Sequence, residues 1–138
     1  MFYKGIEDKA FLIIDRAIRL ADGGYIPDRT TPTVVEAYTL FWFQRHGPFE
    51  FLYMDGESAL NCDEGINELK RLGTTFRKKA VGQHASIVER RIAIVRNTMH
   101  LVEEDMKRFG SALTFKRLLA EAIYVSNAFT FYNGVSPI

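Results

Sequence analysis

Gly47-Pro48-Phe49-Glu50-Phe51-Leu52-Tyr53-Met54-Asp55 is the stretch on which the reading of this 138-residue chain turns. The Gly-Pro pair ends whatever precedes it. Phe49–Met54 is then apolar except for Glu50. A nearly unbroken apolar run of this length suits a strand covered on both faces, as in the centre of a sheet in an α/β protein. The run leads straight into Asp55, and ligand sites in open α/β sheets lie just beyond the carboxyl ends of strands.

Upstream, Ala10-Phe11-Leu12-Ile13-Ile14-Asp15 reads as a buried strand. Asp22-Gly23-Gly24 carries a turn signal, with Tyr25-Ile26 as part of a hairpin partner. Thr30-Thr31-Pro32 offers a helix start, and that helix turns Val34, Val35, Tyr38, Phe41 and Trp42 inward before Gly47. Downstream, a short helix is expected over Ser58–Leu72, a brief strand over Thr74–Arg77 and a polar loop over Lys78–His84. Val88, Ile92, Val95, Met99, Val102, Met106 and Phe109 alternate steps of four and three, the stripe of a long amphipathic helix over Ala85–Arg108. A last helix spans Ala112–Phe131, burying Phe115, Leu118, Leu119, Ala122 and Phe129. The pattern is α/β, and the length suits one domain over residues 1–138.

Composition narrows the function classes. Hydrophobic residues make up 47% and charged residues 25%, enough for a real core. A single cysteine, Cys62, excludes an internal disulfide and reads as a small buried or half-buried residue. No stretch reads as a secretion signal or a membrane span, so no membrane partner is expected. Asp55 at a strand end and Glu89 at a helix start could meet as a hard, oxygen-rich site suited to Mg²⁺ or Mn²⁺. The plainer alternatives are a turn residue and a carboxylate that complements a helix dipole.

The words around these residues carry a resemblance. Gly47–Ser58 resembles the integrase catalytic cores of retroviruses and retrotransposons, where a Gly-Pro turn leads into the strand that ends at the second catalytic Asp. Gly82-Gln83-His84-Ala85-Ser86-Ile87-Val88-Glu89-Arg90 is similar to the family's loop and helix start with its catalytic Glu, and the 34 positions from Asp55 to Glu89 fit the family spacing. Asn127 with Gly134-Val135-Ser136-Pro137 resembles a retrotransposon closing segment, and Ile14–Arg19 the second-strand segment. The resemblance implies an RNase H-like fold, a mixed central sheet flanked by helices. It also implies metal-dependent 3′-processing and strand transfer of DNA, with Asp55 and Glu89 as catalytic and metal-binding carboxylates. The family's first Asp has no match, and its place falls at or before Met1, as in a fragment truncated in the first strand of a polyprotein product. Little activity is therefore expected of this chain alone. Asp8 and Asp15 are the nearest substitutes, Asp8 reading as a turn residue and Asp15 matching a family position that holds no metal.

The resemblance further implies element-end and target DNA as partners, a homodimer or larger assembly, and an intracellular, in a eukaryote nuclear, location. Arg77, Lys78, Lys79, Gln83, His84 and Arg96 are the expected nucleic-acid contacts, although three consecutive cations are also a common solvated loop. Ala93 stands where the family often has a second basic residue. Arg90 and Arg91 read as solvent-facing or paired with acids. The Phe41-Trp42-Phe43 block reads as core or dimer packing rather than a base-stacking surface. The net charge is +1, yet Leu69–Asn97 holds eight basic residues and one acid. A non-catalytic remnant that binds nucleic acid or self-associates is the alternative function.

Overall fold

The computed structural model describes residues 10–54, 59–78 and 86–129, those of Ser86 and Phe129 by backbone only. The chain divides into two compact units: Met1–Tyr25 with Ala85–Ile138, and Ile26–His84. The proposed first strand, and the closing Gly134–Pro137, lie outside the described residues.

In the first unit, β1 (Ala10–Ile14) pairs antiparallel with β2 (Ala21–Tyr25), Ile14 opposite Ala21 and Ala10 opposite Tyr25. The chain reverses at Asp15–Leu20, not at Asp22-Gly23-Gly24, which lies within β2. Asp15 makes this turn. Its Oδ1 accepts the Ala17 N–H at 2.8 Å, and its carbonyl accepts the Arg19 N–H at 2.8 Å. Arg19 adopts a left-handed φ of 62°. Glycine at position 23 has a different purpose: a Cβ there would stand 2.0 Å from the Phe11 carbonyl oxygen. The residue permits close strand approach rather than reversal.

Helices α4 (Ser86–Arg108) and α5 (Phe115–Phe129) complete this unit. The α4 stripe packs as its periodicity predicts: Val95 and Met99 are fully buried against Leu118, Leu119, Ala122 and Ile123 of α5. Leu12 and Ala10 of β1 pack against the same cluster. Phe109 is the exception on the stripe, 78% exposed. The helix has closed by then, with Gly110 at φ 72° and the Ser111 N–H returning to the Met106 carbonyl at 2.9 Å.

In the second unit, α1 (Thr31–Tyr38) runs through a π-helical turn (Thr39–Phe43) into α2 (Gln44–His46) and stops at Gly47, φ 79°. Val34, Tyr38 and Trp42 are buried as expected, and Trp42 stacks on Phe49 at 4.5 Å between centroids. The aromatic block is thus anchored in a core. Helix α3 (Asp63–Arg71) starts later than the sequence suggests. Its cap is Cys62, which is exposed rather than buried and whose Sγ accepts the Gly65 N–H at 3.4 Å. Strand β3 (Phe51–Met54) pairs in parallel with β4 (Thr75–Lys78), α3 forming the crossover. Among the described residues β4 is the one strand paired with β3, and Tyr53 is 43% exposed.

Candidate nucleic-acid interface and carboxylate site

The parallel register sets Tyr53 opposite Arg77 and Met54 opposite Lys78, so both strands end at one level. Tyr38 holds their starts. Its hydroxyl is 2.7 Å from the Thr74 Oγ1 and accepts the Phe49 N–H at 3.1 Å. The Thr75 N–H donates to the Glu50 carbonyl at 2.9 Å. Asp55 follows Met54 in the sequence and, like Lys79, Gln83 and His84, lies outside the described residues.

Arg77 and Lys78 are exposed, with the Arg77 guanidinium 4.0 Å from the centroid of the Phe51 ring. A cation over a ring face is held in orientation while its N–H groups stay open to water or to a phosphate. Glu89 is exposed in the first turn of α4, and Arg96, seven residues on, is half-buried. Seven residues are about two turns, so both rise from neighbouring rows of one helix, about 10 Å apart along its axis.

Among the described residues no three His, Cys, Asp or Glu side chains come together to hold a metal ion. Glu89 therefore belongs to no such group among the described residues, and Asp55, its expected partner, lies outside them. Asp15 is committed to its turn. Among the described residues, no helix is long and apolar enough to cross a membrane.

Arg91 departs from its expected place. The sequence reading set it facing solvent or an acid, yet it is fully buried. Its Nη1 donates to the Asn127 Oδ1 at 2.8 Å and the Ser126 Oγ at 3.4 Å, and its Nη2 to the Arg19 carbonyl at 2.6 Å. Asn127 also binds both backbone groups of Ala21, accepting its N–H at 2.9 Å and donating to its carbonyl at 2.7 Å. A signal for burial existed: Arg91 precedes the buried Val95 and Met99 by steps of four.

No family model matches the sequence, and no curated protein does. Solved structures do match. The HTLV-2 integrase catalytic core domain in complex with magnesium, in its trimeric form, superposes at a TM-score of 0.80 and 14% identity, over 98% of this chain and 85% of that one. The catalytic core domain of BIV integrase gives 0.74 at 19% identity, over 93% and 81%. This chain has the RNase H-like fold of retroviral integrase catalytic cores. A chain of the simian T-cell lymphotropic virus intasome, solved with a PP2A regulatory subunit, gives 0.79 at 13% identity. The likeness covers 97% of the present chain but 47% of the intasome chain, so the present chain spans about half of that length.

Proposed function

We propose that the chain is an integrase-type core that binds DNA through its phosphate backbone, of retrotransposon or retroviral descent, with Asp55 and Glu89 as its acidic pair. The observation that carries this reading is the basic end of β4: exposed Arg77 and Lys78 lie in register with Tyr53 and Met54, where β3 passes into Asp55. Two cations at the carboxyl end of a parallel pair stand where α/β proteins bind their ligands. Phosphate contacts of this kind fix position on the duplex without reading sequence. The magnesium bound by the HTLV-2 core supports a divalent cation as the cofactor to test. Element ends and target DNA are the proposed substrates, and a second copy the proposed partner.

Residues 1–138 contain no match to the family's first catalytic Asp, so strand joining by this polypeptide alone is proposed to be weak. Fluorescence anisotropy with a labelled duplex tests the binding. The chain should bind in a salt-sensitive manner, and replacing Arg77 and Lys78 together by Ala should lower affinity about tenfold or more at moderate salt. Affinity unchanged by that replacement would sink the interface. A strand-transfer assay with Mn²⁺ tests the other part, for which robust turnover is the contrary result.

A further inference from the structure

Glu89 and Arg91 stand on opposite sides of α4. Two residues turn a helix by about 200° and advance it by about 3 Å, and the exposures agree, Glu89 being open to solvent and Arg91 buried. Behind the Glu89 turn, the guanidinium reaches three acceptors on two other elements: Asn127 and Ser126 of α5, and the Arg19 carbonyl in the β1–β2 turn. Asn127 is itself fixed to both backbone groups of Ala21, at the start of β2. The hairpin, α5 and the first turns of α4 thus meet on one buried fork.

A guanidinium is costly to desolvate, and an apolar side chain of similar volume fills such a place at lower cost. What the planar fork adds is direction, because several N–H groups must be satisfied in a fixed geometry. The ends of helices are where such direction is needed. The first four N–H groups have no acceptor within the helix, and terminal turns fray.

We propose that Arg91, held by Asn127, is a positioning residue for Glu89: it pins the first turns of α4 from behind and so fixes where the carboxylate faces DNA. This rests on the proposed role of Glu89 as one of the acidic pair of a DNA-binding core. The test is a double-mutant cycle on duplex-DNA affinity, using the full chain, Glu89→Gln, Arg91→Lys and the double variant. Glu89→Gln removes a charge of the same sign as phosphate and should tighten binding by about threefold or more at low salt. In the Arg91→Lys background, where a single ammonium replaces the fork, the same change should have less than half that effect. An equal effect in both backgrounds overturns the positioning role alone. No effect of Glu89→Gln in the unsubstituted chain overturns the DNA-facing role of Glu89, and the positioning role with it.

Amide exchange on the unsubstituted chain decides the matter if Arg91→Lys does not fold. Amides of Arg90–Ala93 should exchange within about tenfold of those of Val95 and Met99. Exchange a hundredfold faster or more would show a fraying end and overturn the clamp.

Discussion

A single hydroxyl in the second unit ties together three segments. Tyr38 is fully buried, and its OH joins the Thr74 hydroxyl to the Phe49 N–H, at the entries of β4 and β3. Removing that oxygen leaves the buried Thr74 hydroxyl and the half-buried Phe49 N–H without this partner, a loss of about 1–3 kcal/mol. Tyr38→Phe should lower the urea midpoint by that loss divided by the slope, with the slope itself unchanged. Thr74→Val should cost a similar amount, and the double variant less than both together, since the two share one bond. Gly23→Ala should also destabilise by about 1–3 kcal/mol, through overpacking against the Phe11 carbonyl. The Asp-Gly-Gly triplet also marks a limit of sequence reading. Glycine serves reversal and close approach alike, and only the partner strand shows which.

Elements with a long period were the most legible. The stripe from Val88 to Met106 places α4 to within one residue at its start, because six regularly spaced apolar positions over-determine a helix. Its buried and exposed rows should respond differently. Met99→Ala opens a cavity beside Leu118 and Ala122 and should cost about 2–5 kcal/mol. Leu101→Ala and Phe109→Ala, at 64% and 78% exposure, should each stay within about 0.5 kcal/mol, as thermal unfolding of the three variants would show. Short elements were less legible. Helix α3 begins at Asp63, where a thiol caps it, and no pattern in Ser58–Cys62 announces that start. Arg91 is hard to place for a related reason. Its charge argues for the surface and its spacing for the core, and the partners that make burial tolerable, Asn127 and the Arg19 carbonyl, come from distant segments.

Across the whole molecule, charge is the property that the structure most revises. The near-neutral total conceals eight basic residues and one acid over Leu69–Asn97, a distribution suited to a phosphate backbone. Burial removes Arg91 from that set, since a fully buried guanidinium whose two Nη atoms donate to Asn127, Ser126 and the Arg19 carbonyl cannot also neutralise a phosphate. The cations at Arg77 and Lys78 are exposed and remain. Salt dependence separates these roles, because each neutralised phosphate on duplex DNA steepens the plot of log affinity against log salt by about 0.9. Arg77→Ala and Lys78→Ala should therefore each flatten the slope by about one and weaken binding to all sequences alike. Arg91→Lys should leave the slope unchanged, whatever it does to the Glu89 effect. A slope that flattens with Arg91→Lys would mean that its guanidinium reaches DNA after all, and a slope indifferent to Arg77 and Lys78 would move the interface away from β4.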